Sequence, residues 1–172
     1  PDKENITIVR QANTGASAAR NEGLSAIPSD AEFVAFLDSD DEWQEDHLAQ
    51  ALAAMKNGCD FYFADHRRTD WKESKFARLQ FDLTEHRCID FQRGLFEFTG
   101  DLAVPILRDH LIQTSTVVVR HSVIRSLRFR SDLVIGEDEL FWIQAIYASP
   151  RVCFSNRTDV LMGKGVNISQ HD

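Results

Sequence analysis

The chain is poor in cysteine, in long apolar runs and in positive charge. Three cysteines, Cys59, Cys88 and Cys153, stand far apart among 172 residues, and no Cys-x-x-Cys occurs. Zinc knuckles and disulfide frameworks rest on closely spaced cysteines, so neither is expected, and a reducing cytosolic setting fits best. No apolar stretch approaches the ~18 residues that a membrane span needs. The opening Pro1-Asp2-Lys3-Glu4-Asn5 is polar and reads as loop, with no signal peptide. Lysine and arginine number 19 against 27 acids, a net charge of −8. That balance speaks against a general nucleic-acid binder, because phosphate backbones need basic surface; a local basic pocket remains compatible with it. There is no internal repeat and no low-complexity tract. What is present, 43% hydrophobic and 27% charged residues, suits one globular domain with a core of its own.

Hydrophobic patterning gives an alternation of strands and helices. Ile6 to Val9 reads as a short strand. Asn13-Thr14-Gly15-Ala16-Ser17 then turns into a helix through Arg20 to about Ala26, ended by Pro28. Phe33 to Leu37 is the next strand. Leu48, Leu52 and Met55 repeat at i, i+4, i+7 and predict a helix from about Glu45 to Lys56, stopped by Asn57-Gly58. Phe61 to Ala64 is a further strand. Strands and helices at this spacing imply βαβ units and a mostly parallel sheet. Between Arg67 and His110 the pattern dissolves, with a helix expected over Phe91 to Phe98 and Pro105 as an interruption. Order returns with a strand from Ser115 to Val119. Glu137 to Ala148 is apolar almost all round and predicts a largely buried helix that packs Trp142 in the core. Val152 to Phe154 is a late strand, and a mobile tail follows from Arg157.

Three constellations carry chemistry. Asp38-Ser39-Asp40-Asp41 follows the apolar run Phe33-Val34-Ala35-Phe36-Leu37 directly. A buried strand thus delivers carboxylates to a sheet edge, where ligands of open α/β sheets bind. Crowded carboxylates repel unless a cation sits among them, and hard oxygen donors suit Mg²⁺ or Mn²⁺ bound together with substrate phosphates. The competing explanation is helix initiation, since Ser39 and Glu42 stand in capping-box spacing. Gly136-Glu137-Asp138-Glu139 opens the buried helix. Its acids either serve the helix dipole or supply a general base at the rim of an apolar region. In the segment from Asn13 to Gly23, Gly15 at a strand-to-helix turn permits close backbone approach to a ligand. Arg20 and Asn21, one turn into the helix, could hold a nucleotide; a solvated arginine on a capped helix is the plain alternative.

In this order, the stretches N-T-G-A-S-A-A-R-N-E-G-L, F-V-A-F-L-D-S-D-D-E-W and G-E-D-E-L-F-W resemble glycosyltransferase family 2. The resemblance covers Ile6 to Cys59 and, less fully, Gln113 to Phe154. It implies a GT-A-like α/β fold, a mostly parallel sheet flanked by helices, and inverting transfer of a sugar from a nucleotide-sugar donor to an acceptor hydroxyl. It implies that Asp38-Ser39-Asp40 is the metal-binding D-x-D, with Asp40 the direct ligand of Mn²⁺ or Mg²⁺ and Asp38 near the ribose or the metal. Asp138 corresponds to the catalytic base. Asn13, Gly15, Arg20, Asn21, Asp38 and Ser39 correspond to nucleotide-sugar contacts, and Gly163-Lys164-Gly165 to a segment that closes over the diphosphate. The family begins with a strand, a helix and a second strand ending in an Asp-Asp-Gly-Ser-like motif, none of which occurs here. The chain therefore reads as a single partial GT-A-like domain, incomplete at its amino-terminal end. Residues 1–66 form its donor and metal half, 67–112 a variable excursion, 113–156 the acceptor and catalytic-base part, and 157–172 a tail. Exposed sheet edges imply self-association. The acceptor is a glycan, a lipid-linked sugar or a protein; nucleic acid is not a partner. The implied location is cytoplasmic or at the inner face of a membrane. Two other readings stand beside this one: a catalytically incompetent fragment or binding module of the same fold, and an aspartate-based phosphotransferase, which the Asp-x-Asp after a buried strand also permits. His66, His110, His121 and Cys153 are assigned no chemistry.

Overall fold

A computed structural model describes residues 6–133 and 135–164. Six helices are present among them: α1 (Ala16–Ser25), α2 (His47–Lys56), α3 (Lys75–Leu79), α4 (Ala103–Asp109), α5 (His121–Ile124) and α6 (Glu137–Tyr147). The strands are β1 (Phe33–Ala35), β2 (Glu42–Trp43), β3 (Phe61–Arg68), β4 (Arg87–Asp90), β5 (Leu95–Glu97), β6 (Val118–Arg120) and β7 (Val152–Met162). They form a single sheet in the order β1-β6-β3-β7-β5-β4, with β2 also on β7.

The α/β architecture with helices on both faces of a central sheet is as expected. The strand directions are a correction: among the described residues only β3 and β7 pair in parallel, and every other pairing is antiparallel. The cause lies in β6. The unit β1-α2-β3 does set β1 and β3 in the same direction, but β6 comes in antiparallel between them.

β3 is the centre of the fold. Its first six residues are buried without alternation, as befits a strand covered on both faces. Successive side chains point to opposite faces, so Phe61 and Phe63 join one core with Phe36, Phe129, Phe141, Trp142 and Phe154. Tyr62 and Ala64 join the other, beneath α2.

Several elements differ from expectation. Ile6 to Val9 forms no strand; Ile6, Ile8 and Val9 are exposed, and no described strand lies beside them. In α2 the buried stripe is His47, Gln50, Ala51, Ala54 and Met55, while Leu48 and Leu52 face outward. α6 buries a single face, Phe141, Trp142, Ala145 and Ile146, and leaves Tyr147 exposed. The helix expected over Phe91 to Phe98 is the hairpin β4–β5, turned at Gly94 with φ of 64°. Pro105 lies within the first turn of α4, where its missing N–H costs nothing. Ser115 sits in a 3-10 turn, Thr114–Thr116, ahead of β6. β7 does not end at Phe154. It shifts register near Ser155 and continues to Met162 beside the far half of β3, so residues 157–162 are strand and not a mobile tail. Residues 165–172, and with them Gly165, lie outside the described residues.

Cys59 and Cys153 are joined as a buried disulfide with Cα atoms 6.1 Å apart, contrary to the expectation of none. Ninety-four residues of sequence separate them, and only the parallel pairing of β3 with β7 brings their strand ends together. The reducing setting inferred from isolated cysteines loses that support. No helix among the described residues is long and apolar enough to cross a membrane.

Candidate active site

The acidic loop after β1 is suspended from one buried hydroxyl. Asp38 N donates to Ser115 Oγ at 2.9 Å, and Ser115 Oγ donates to Asp41 Oδ2 at 2.6 Å. Trp43 Nε1 donates to the Ser115 carbonyl at 2.7 Å. Asp41 N closes the turn onto the Asp38 carbonyl at 3.1 Å. Gly163, just past β7, donates its N–H to Asp41 Oδ1 at 2.9 Å. A Cβ at Gly163 would fall 2.1 Å from the Asp40 carbonyl oxygen, so only glycine fits against the loop there. Burial pushes the Asp41 carboxyl up from its ordinary range, with the bonds from Ser115 and Gly163 pulling the other way.

Arg20 ties this loop to the other two motifs. Its guanidinium makes a two-pronged pair with Asp38, at 2.9 and 3.0 Å, and stands 3.6 Å from Glu137. The group lies 5.4 Å from the centre of the Phe129 ring. Its neighbour Asn21 uses both ends of its amide on one backbone unit: Nδ2 donates to the Phe129 carbonyl at 2.9 Å, and Phe129 N donates to Oδ1 at 2.8 Å. Ser17 Oγ adds a bond to the Arg130 carbonyl at 3.3 Å. α1 is thereby clamped to the segment that leads into α6. Earlier in the chain, Gly15 has φ of 95° at the N-terminus of α1, and its N–H bonds Asn13 Oδ1 at 3.2 Å. Asn13 itself is exposed, as is Ser39.

Each acidic cluster leaves one carboxylate over. In the loop, Asp38 is held by Arg20 and Asp41 by Ser115 and Gly163; Asp40 is exposed, and its carboxylate has no partner among the described residues. In the first turn of α6, Glu137 faces Arg20 and Glu139 meets Nδ1 of His110. Asp138 accepts only the N–H of Glu139, at 2.9 Å, and stays half-buried. Asp40 and Asp138 are therefore the carboxylates of the two clusters without a cationic or side-chain partner among the described residues.

Among the described residues no three metal-ligating side chains converge. Mg²⁺ and Mn²⁺ are often held by one or two carboxylates plus substrate phosphate oxygens, and Asp40 with Asp38 beside it could supply such carboxylates. The sequence reading named Asp41 in the acidic cluster and Gly163 in the closing segment, but the ties of Asp41 to Ser115 and to Gly163 escaped it. A buried polar triplet, Thr114-Ser115-Thr116, between Ile112 and Val117 was the available signal. A cavity of about 460 Å³, lined among others by Phe81, His86, Phe98, Asp101 and Arg108, opens in the stretch from Leu79 to Leu111, away from Asp40.

The chain resembles known proteins in sequence and in fold. The chain is 33% identical over 175 residues to the succinoglycan biosynthesis protein ExoW of Rhizobium meliloti (strain 1021), a match covering 97% of this chain and 53% of that protein. It is 27% identical to the minor teichoic acid biosynthesis protein GgaA of Bacillus subtilis (strain 168), over 86% of this chain and 31% of the relative. The fold superposes on the crystal structure of S. aureus TarS 1-349 in complex with UDP-GlcNAc with a TM-score of 0.64 at 20% identity, over 92% of this chain and 42% of that one. The chain thus spans about half the length of the first of these relatives. Residues 2–126 match the family described as Glycosyl transferase family 2, and the chain belongs to that family of sugar-transferring enzymes.

Proposed function

We propose that the protein to which this chain belongs transfers a sugar from a nucleoside-diphosphate donor to an acceptor hydroxyl, with inversion and with help from a divalent cation. The carrying observation is that two acidic clusters, linked through Arg20, each leave one carboxylate available, Asp40 and Asp138. Family membership supports the reaction class.

In this reading Asp138 takes the proton of the acceptor hydroxyl. The oxygen attacks the anomeric carbon, and the bond from that carbon to the diphosphate breaks on the opposite face. The products are the glycoside, the nucleoside diphosphate and a protonated Asp138, which returns its proton to solvent. Asp40, and Asp38 beside it, would hold Mn²⁺ or Mg²⁺, which when bound offsets the charge growing on the leaving diphosphate. Arg20 orients Asp38 and Glu137. Asn21 acts through the backbone of Phe129 to hold that arrangement, and Asn13, Gly15 and Ser39 lie on the exposed side where a nucleotide would be met. The acceptor approaches from the side of residues 67–112. β1 has β6 as its one neighbour among the described residues, so its other edge is open to a further strand of the protein or to a second copy. A cytoplasmic donor pool is consistent with a nucleotide-sugar substrate.

The test uses the full-length protein. Asp138→Asn is expected to abolish transfer, by 10²-fold or more for loss of a general base, while UDP with Mn²⁺ still raises the thermal midpoint as in the wild type. Asp40→Asn is expected to lose the metal-dependent part of that shift. An Asp138→Asn variant that no longer binds UDP would contradict the base assignment, and a phosphoaspartate chemistry would instead show trapping by fluoroberyllate.

A further inference from the structure

The chain as a whole is acidic, yet one segment gathers positive charge. Residues 67–78 hold Arg67, Arg68, Lys72, Lys75 and Arg78 against Asp70 and Glu73, whereas the whole chain carries a net charge of −8. The structure draws three of these cations around a single indole. Arg78 lies 4.3 Å, Arg68 5.5 Å and Lys75 5.9 Å from the Trp71 ring centre. The backbone of Trp71 is held on both sides: its N–H donates to the Arg68 carbonyl at 3.0 Å, and Arg67 Nη1 donates to its carbonyl at 3.0 Å.

Local acids neutralise only part of the group. Asp70 is taken by Arg68 at 3.0 Å, and Asp109, the acid acting on Lys75, is held by the two-pronged grip of Arg108. Among the described residues Arg67, Lys72, Lys75 and Arg78 have no ion pair. Like charges collected around one aromatic ring repel, a cost that cation–π contact only partly offsets. Partial burial pushes the Lys75 ammonium below its ordinary range, with Asp109 pulling it back and Arg78 adding to the fall.

The patch adjoins the candidate active site. Arg68 pairs with Met162 at the ends of β3 and β7, and Thr69 N donates to the Met162 carbonyl. The next residue, Gly163, docks on Asp41. Lys164 follows, close enough for its charge to bear on Asp70.

We propose that the Trp71 platform, with Lys75 and Arg78, is a subsite for an anionic group on the acceptor, so that the preferred acceptor is a glycan bearing carboxylate or phosphate. This rests on the sugar-transfer reading above and adds the charge class of the acceptor to it. The cations offer direct Coulomb attraction at the rim of the site. Arg78 presents a planar guanidinium backed by the indole, which pre-organises it for an oxyanion.

Isothermal titration of the full-length protein with tetragalacturonate, with neutral maltotetraose and with UDP plus Mn²⁺ separates the possibilities. The wild type is expected to bind tetragalacturonate at least tenfold more tightly than maltotetraose at low salt, with the difference shrinking as salt rises. The Lys75→Gln and Arg78→Gln double variant is expected to bind the two oligosaccharides alike and to keep its UDP affinity. Arg78→Glu alone, at an exposed position, is expected to act in the same direction, so misfolding of the double variant cannot mimic the result. Equal binding of both oligosaccharides by the wild type overturns the proposal. So does loss of UDP affinity in the double variant with tetragalacturonate binding intact, since the cations would then serve the donor. Absent UDP binding by a wild type that discriminates the oligosaccharides would count against the sugar-transfer reading and leave the anionic subsite standing.

Discussion

Ser115 Oγ accepts from Asp38 N and donates to Asp41 Oδ2, and its side chain is fully buried. Ser115→Ala leaves a half-buried carboxylate and a backbone N–H without that partner, at a cost of about 1–3 kcal/mol. A chemical denaturation midpoint lowered at unchanged slope would record it. Because the same hydroxyl shapes the turn that presents Asp40, the variant is also expected to lose metal-dependent UDP binding; Ser115→Thr, which keeps the hydroxyl, is expected to recover part of it. At this scale the sequence was informative about charge and silent about ties. Asp38, Asp40 and Asp138 stood out because acids follow an apolar strand or open an apolar helix. That Arg20 spans Asp38 and Glu137 required the third dimension, since 117 positions separate Arg20 from Glu137 along the chain.

α2 illustrates what pattern alone misses at the level of an element. Leu48, Leu52 and Met55 have helical spacing, yet the sheet receives Ala51, Ala54 and Met55 together with His47 and Gln50. Small residues let the helix lie close on β3, so the inward face is the one with less bulk, and the leucines are left outside. Leu52→Lys is accordingly expected to change stability by no more than about 0.5 kcal/mol. Ala54→Leu, adding volume against a full core, is expected to cost about 1–3 kcal/mol. Thermal midpoints of the two variants check the assignment; the reverse ranking would restore the leucine face. The β4–β5 hairpin failed as a helix prediction for a related reason. Gly94 has a left-handed φ, and a Cβ there would collide with the Asn156 side chain on β7. Its turn is fixed by a neighbour 62 positions on, which no local window contains.

Across the whole molecule, buried titratable groups set the response to acid. Burial lowers His47 to about 4 and His66 to about 3, whereas it raises Asp159 to about 6. A histidine with a folded pKa below its ordinary 6.5 leaves the fold holding fewer protons than the unfolded chain, so its stability is present above pH 6.5 and is lost as pH falls. Asp159 works in the opposite sense: the fold retains a proton that the unfolded chain has released between about pH 4 and 6, so acidification through pH 6 stabilises. His47→Leu is therefore expected to lose less stability than the wild type between pH 7 and pH 4.5, by ~2 kcal/mol. Asp159→Asn is expected to lose more. Denaturation midpoints at both pH values give the comparison, and parallel behaviour of the two variants would refute it.

Composition and pattern determined that this is an α/β chain and where its two acidic clusters lie, because those features are local: a strand followed by acids, a helix opened by acids, an arginine one turn into a helix; the family followed from the resemblance of three ordered stretches and from the family match. Tertiary structure decided the rest. It set β6 antiparallel between β1 and β3, carried β7 on to Met162, joined Cys59 to Cys153, and chose Asp40 and Asp138 as the available carboxylates by occupying their neighbours. Partners contributed by distant strands are invisible to any local reading, and here those partners determine which carboxylates of the two clusters are left unpaired among the described residues.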